Sequence, residues 1–422
     1  MRRADRQLTA AVLAWVLLAS ASVGCGARTG PEIPDAGPDA PTVDAGPPVR
    51  CIEVPPSLSP VTATFALPVS LAVADVLFLI DSTASMEDEI DNVRSRLTSR
   101  VVPGVRAAIP DAAFGVALVG EFPEMPHGPP GIRPYELRAP ITVDVVRVQG
   151  ALDHTPTWGN FDDPEAQVEA LYQVATGEGL EPWIPPSVGC PGGGVGGACF
   201  RRDSLPVVLL ITDAPFHNGP PGIDPVADYE LDPAPHTYAQ MLEANRELGI
   251  FVVGLGARDV GRPSPMAHLR AVARDTGAVT DTGSPLAFDI GSRGDGVGDG
   301  IVDAIERLAE GLPLDVDAIV EDVPGDPWDA TRIVTAVTPL RAEPASGARS
   351  IEGTRFLGVD PGTRVVFEVR IDPASLGPSE STRRIPARII FRAFGRSRLG
   401  RVEVVIVVPG LDGGGCDSME DG

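Results

Sequence analysis

The residues best suited to chemistry form one short run, Asp81-Ser82-Thr83-Ala84-Ser85-Met86, directly after the apolar stretch 74–80 (ADVLFLI). A carboxylate and two hydroxyls at alternate positions of a tight loop face the same way. An all-oxygen set of that kind suits Mg²⁺, which takes oxygen ligands octahedrally and keeps some waters. Helix capping is the competing use of Asp and Ser here, but a cap employs one residue and leaves the alternation unused. Two further acidic loops stand at the ends of helical or apolar patterns: Asn160-Phe161-Asp162-Asp163-Pro164-Glu165, and Asp213-Ala214 after 205–212 (LPVVLLIT). The five histidines (His127, His154, His217, His236 and His268) show no His-Glu-x-x-His spacing, and neither a Gly-x-Ser-x-Gly elbow nor a P-loop occurs. Each histidine reads as a loop or surface residue. His217, four residues past Asp213, is the one that approaches a strand-end cation in sequence.

The elements that must hold these loops are legible from periodicity. The runs 74–80, 205–212 and 249–255 (GIFVVGL) are nearly continuous apolar stretches, as central parallel strands covered on both faces require. Helical faces lie between them: Ile90, Val93, Leu97 and Val101; Val168, Leu171, Tyr172 and Ala175 after Pro164; Tyr238, Met241, Leu242 and Leu248; and Met266, Leu269, Val272 and Ala273. The alternation predicts an α/β fold, a doubly wound and mostly parallel sheet over 71–313. In such sheets ligands bind outside the carboxyl ends of the strands, where Asp81 and Asp213 stand. A helix over 300–310 with Asp299 as its cap follows a loop rich in Gly and Asp. Its Arg293-Gly294-Asp295 tripeptide is read as chance composition.

From 314 to 410 the pattern changes to alternating, β-branched runs with Pro and Gly punctuation, which predicts a second, smaller β-sandwich domain. The alternating segment within 55–70 reads as a first strand of that sandwich. The α/β domain is then an insertion into it; two consecutive domains are the alternative. A short tail, 411–422, ends the chain.

The N-terminus carries three Arg in its first six residues and an apolar run to Ala21, a secretory signal peptide over 1–25. Small residues before Cys25 resemble a bacterial lipobox, which would acylate Cys25. The segment 26–54 is Pro, Gly, Ala and Asp with little to bury, and reads as a disordered tether. Removing Cys25 from five cysteines leaves two pairs in an exported, oxidising setting. Cys190 and Cys199 bracket a glycine-rich loop and form the local bridge, leaving Cys51 with Cys416. A zinc site is the rival use of these cysteines, but the spacing lacks a Cys-x2-Cys pair.

The chain has 422 residues, 47 Gly and 44 Pro, and a net charge of −24 with every basic residue an Arg. Such a charge repels phosphate backbones, which excludes nucleic acid as an expected partner.

The run Asp81-x-Thr83-x-Ser85 resembles the metal-ion-dependent adhesion site of a von Willebrand factor type A (VWA) domain. The acidic loop Asn160 to Glu165 and the Thr212-Asp213-Ala214 turn are similar to the integrin β-subunit version of that domain. The resemblance implies a Mg²⁺ (or Mn²⁺) site of Asp81, Thr83, Ser85, Glu165 and Asp213. It also implies flanking Ca²⁺ sites, one at Asp88 and Glu89, the other at Asn160, Asp162, the Pro164 carbonyl and Glu121. The activity it implies is adhesion: an acidic residue of an unknown protein or extracellular ligand completes the metal's coordination, and neighbouring loops, the Cys190–Cys199 loop among them, set specificity. The expected protein is therefore a non-enzymatic lipoprotein held to the membrane by its N-terminal lipid, in the cell envelope at the outer membrane or cell surface. A structural envelope protein stiffened by metal and a metal-assisted hydrolase are the alternatives.

Overall fold

The computed structural model describes residues 49–257, 261–291 and 296–419. The signal peptide with Cys25, most of the tether, and Arg293-Gly294-Asp295 lie outside the described residues.

The described chain opens with β1 (Arg50–Glu53) and β2 (Val61–Pro68). Next come β3 (Val73–Asp81), α1 (Glu87–Arg96), α2 (Val102–Ala108), β4 (Asp111–Val119), β5 (Glu136–Thr142), α3 (Val145–Asp153) and α4 (Gln167–Thr176). After these follow β6 (Leu205–Thr212), α5 (Tyr238–Glu247), β7 (Phe251–Ala257), α6 (Met266–Asp275), β8 (Ala287–Gly291) and α7 (Val297–Gly311). The last strands are β9 (Leu314–Asp322), β10 (Val334–Glu343), β11 (Ala348–Glu352), β12 (Arg355–Val359), β13 (Arg364–Ile371), β14 (Arg383–Ala393) and β15 (Ser397–Val408).

The first sheet has the order β5-β4-β3-β6-β7-β8, with β4, β3, β6, β7 and β8 parallel and β5 antiparallel at one edge. Chain order reverses between β3 and β6, so this is the doubly wound α/β fold expected, with its switch point beside the end of β3. Every residue of β3 is buried, because both faces are covered. Val76, Phe78 and Ile80 pack with Ile90, Val93, Leu97 and α7's Ile301 and Ile305. Leu77 and Leu79 pack on the other side with Val168, Leu171, Met241 and Leu269.

The remaining strands form two facing sheets, β1-β15-β14-β9-β12-β11 and β10-β13-β2. β1 runs parallel to β15 and β2 antiparallel to β13, so both sheets take strands from either side of the α/β segment. Phe65, Phe356, Phe367 and Phe391 fill the space between them in one apolar core continuous with that of the first sheet. Cys51 is bonded to Cys416 (Cα–Cα 5.8 Å) and Cys190 to Cys199 (5.2 Å).

Three local expectations change. Residues 50–53, placed in the tether by composition, form β1, because backbone pairing to Val404–Val407 supplies what their side chains do not. Asp299 does not cap the last helix; α7 begins earlier, at Val297 after Gly296, and Asp299 in its first turn pairs with Arg100 at 2.7 Å. Pro164 stands in the loop, and α4 begins at Gln167.

At the amino ends of the strands, the fully buried Asp75 accepts hydrogen bonds from the Arg201 backbone (2.5 Å), the Arg201 guanidinium (2.6 Å) and the Ser204 hydroxyl (2.7 Å). Arg201 also reaches Asp111 at 2.7 Å, which ties β3, β4 and the entry to β6 together. Arg201→Ala strands a buried carboxylate, so we expect a loss of about 3–5 kcal/mol in denaturant unfolding. A change under about 1 kcal/mol would show that the clamp does not carry the sheet.

Candidate metal site

The end of β3 and the loops after β4 and β6 meet at the switch point. Asp81, the last residue of β3, is fully buried. Its Oδ1 accepts from the Thr83 amide (3.0 Å) and hydroxyl (2.8 Å), and its Oδ2 from the Thr212 hydroxyl (2.6 Å). Gln167 of α4 in turn donates to Thr212 at 3.0 Å. The Thr83 and Ser85 hydroxyls lie 3.2 Å apart, and Ser85 donates to Asp213 at 3.2 Å. The alternating oxygens thus share one pocket, as the spacing predicts.

Backbone pairing brings in the remaining loop. Ala84 donates to the Trp158 carbonyl and Trp158 to the Ser82 carbonyl, both at 2.8 Å. Farther on, Glu165 donates to the Pro215 carbonyl at 3.0 Å and His217 to the Glu165 carbonyl at 2.9 Å. Glu165 is therefore held between the first loop and the turn after β6, and its carboxylate is buried. Its Oε1 accepts from Asn160, while its Oε2, equally buried, accepts no hydrogen bond.

Crowding sets the electrostatics. Burial pushes the Asp81 carboxyl above its ordinary range, partly opposed by the hydrogen bonds from Thr212 and Thr83. Burial raises Glu165 well above its ordinary range, and the charges of Asp81, Glu121, Asp162 and Asp213 raise it further. Asp213 is pushed up to about 7 by burial and by Asp81, against the Ser85 hydrogen bond and Arg262. Three carboxylates facing one pocket, with one buried oxygen lacking any donor, fit a divalent cation: it neutralises the repulsion and takes the orphaned lone pairs.

The flanking residues have mixed surroundings. Asp88 is exposed, whereas Glu89 is buried and its charge acts on Asp81. Asn160 donates its amide nitrogen to both Glu165 and the Asp162 carbonyl and so braces the loop. Glu121 and Asp162 face histidines. His127 Nδ1 is 2.8 Å and His217 Nε2 3.2 Å from Asp162 Oδ2, and His217 Nε2 is 3.7 Å from Glu121 Oε2.

Sequence reasoning placed all five histidines on loops or the surface, yet His127, His217 and His268 are buried. His268 accepts from the Phe216 amide at 2.9 Å and so fixes the turn after β6. No spacing rule could have found the cluster of His127 and His217 with Glu121 and Asp162, because its members come from three separate loops.

The glycine-rich bridged loop also lies elsewhere. Ala198 donates to the Val174 carbonyl in the last turn of α4, and Arg201 leads into the amino end of β6. Glu165 precedes the opposite end of α4, so the bridged loop stands a strand's length from the site and cannot shape it.

No protein-family model matches the sequence, and no curated protein does at a significant level. Among solved structures, the chain is similar to a von Willebrand factor type A protein from Catenulispora acidiphila (12% identity, 84% of this chain and 70% of that one, TM-score 0.36). It is also similar to the pilus adhesin SpaC of Lactobacillus rhamnosus GG in its open conformation (12%, 83% of this chain, TM-score 0.36), where it spans 45% of the adhesin. A third is the VWA domain of SpRpn10 (10%, 55% of this chain and 94% of that one, TM-score 0.32). These likenesses are weak, and the α/β assignment stands on the strand order and register themselves.

In chelator, the Asp213 shift has a defined sign. A carboxyl raised from 3.8 to about 7 on folding stabilises the protein fully below 3.8, and that contribution is lost as pH rises through about 7. Thermal melts in chelator should show this fall between the two values, and Asp213→Asn should flatten it. An identical pH profile for the variant would contradict the assignment.

Proposed function

We propose that the chain is a metal-dependent binding module of an exported lipoprotein, with Asp81, Thr83, Ser85, Glu165 and Asp213 holding one Mg²⁺ or Mn²⁺. The observation that carries this reading is the buried Glu165 Oε2, which accepts no hydrogen bond although the charges of Asp81 and Asp213 act on the same carboxyl group. When bound, the cation supplies an open coordination position that takes a carboxylate oxygen from an acidic side chain of a partner.

The residues of the chain do the positioning. Thr212 and Thr83 hold both Asp81 oxygens in place, Asn160 orients Glu165, and Ser85 keeps Asp213 turned inward. Phe161, 56% exposed on the loop that delivers Glu165, offers an apolar contact at the rim. Adhesion is favoured over hydrolysis because hard oxygen ligands and an open position suffice to hold a carboxylate, and in this reading the hydroxyls and carboxylates of the set are taken up as metal ligands.

Export agrees with the two disulfides, which persist in oxidising compartments. Among the described residues no helix is long and apolar enough to cross a membrane. The lipobox-like sequence around Cys25 supports attachment by acylation of that residue. The likeness to the integrin β-subunit version of the VWA domain belongs to this same reading.

Added Mg²⁺ or Mn²⁺ at a hundred times its dissociation constant should stabilise the chelator-treated protein by about 2.7 kcal/mol. Asp81→Ala, and Glu165→Gln as the gentler change, should abolish the shift. Capture of an acidic peptide should then require the cation. A shift retained in both variants would remove the site, and capture undiminished in chelator would favour a metal that only stiffens the fold.

A further inference from the structure

Beside the first site, and separate from its oxygens, stands a set of different chemistry. His127, Asp162 and His217 present ligand atoms that all lie within 4.8 Å of one another. Asp162 Oδ2 is 2.8 Å from His127 Nδ1 and 3.2 Å from His217 Nε2. Glu121 brings a fourth group: it is fully buried, and its Oε2 stands 3.7 Å from His217 Nε2 without accepting a hydrogen bond. Asp162 Oδ1 is likewise buried and unpartnered.

The protons of this cluster are constrained from outside. His217 Nδ1 lies 3.2 Å from the Ala227 carbonyl, which can only accept, so Nδ1 carries the hydrogen. The lone pair of neutral His217 is then on Nε2, aimed at two carboxylates. Lone pairs facing lone pairs repel unless a cation lies between them. Tyr229 stacks on His217 at 4.1 Å and donates to Glu121 Oε1 at 2.5 Å, fixing the imidazole and the carboxylate together. Such outer hydrogen bonds, one to a backbone carbonyl and one to a ligating carboxylate, are those that orient metal ligands.

Spacing selects the ion. Two ligand atoms about 2.0–2.2 Å from a tetrahedral centre stand about 3.3–3.6 Å apart. The observed separations of 2.8, 3.2 and 3.7 Å bracket that value. Two imidazoles with two carboxylates suit Zn²⁺ or another first-row transition ion, while Ca²⁺ prefers oxygen throughout. We infer that His127, His217 and Asp162 form a three-ligand transition-metal site, with Glu121 beside His217, that pins the loops after β4 and β6 to the loop carrying Glu165.

The test uses Co²⁺ and Zn²⁺ alone with the full chain. One equivalent of Co²⁺ should give intense visible ligand-field bands, which Zn²⁺ abolishes and Mg²⁺ does not. His127→Gln and His217→Gln should each weaken Zn²⁺ binding by more than the roughly 10- to 100-fold that losing an outer-shell partner costs. Asp81→Ala should keep the bands while losing the Mg²⁺ response, so failure of either site is read separately. Absence of bands in the wild type, where His217 is then simply a protonated ion-pair partner, would overturn the inference. So would bands unchanged in both histidine variants.

Discussion

The site depends on buried carboxylates forced together. β3 runs through the middle of the sheet with both faces covered, so its last residue, Asp81, emerges into a buried crevice. Backbone pairing of the neighbouring loops then delivers Glu165 and Asp213 to the same crevice. Each charge is costly alone, and each raises the cost of the others. A fold that pays this at a topological switch point, where ligands bind in open α/β sheets, has arranged a demand for positive charge.

The rest of the architecture keeps that crevice rigid. Layers built on alternate β3 residues fix the strand from both sides, and the Asp75–Arg201–Asp111 clamp closes its opposite end. The sandwich takes β1 and β2 from before the α/β segment and its other strands from after it. With Cys51 bonded to Cys416, the two ends of the folded chain are held side by side. Motion of the α/β segment therefore works against a doubly anchored base.

Much of this was readable from sequence where local rules apply. Continuous apolar runs marked β3, β6 and β7, and three- and four-residue spacing marked the buried faces of α1, α4 and α6. The alternation at Asp81, Thr83 and Ser85 marked the oxygen pocket. Long-range pairing was harder to read. β1 has no compositional signal, since Arg50–Glu53 is ordered by its partner strand and a disulfide. The place of the Cys190–Cys199 loop depends on which end of α4 it meets, which spacing does not encode. The burial of His127 and His217 beside Glu121 and Asp162 arises from three loops converging, and isolated histidines in loop sequence carry no trace of it.

The central claim is that the buried carboxylates at the end of β3 are held together by a cation. The most direct measurement is anomalous X-ray scattering from crystals grown with Mn²⁺. The account predicts a single strong peak among Asp81, Ser85, Glu165 and Asp213, within coordination distance of Glu165 Oε2. A map without that peak, with the carboxyl groups instead drawn into short hydrogen bonds with one another, would show that protons do the neutralising and would contradict the claim.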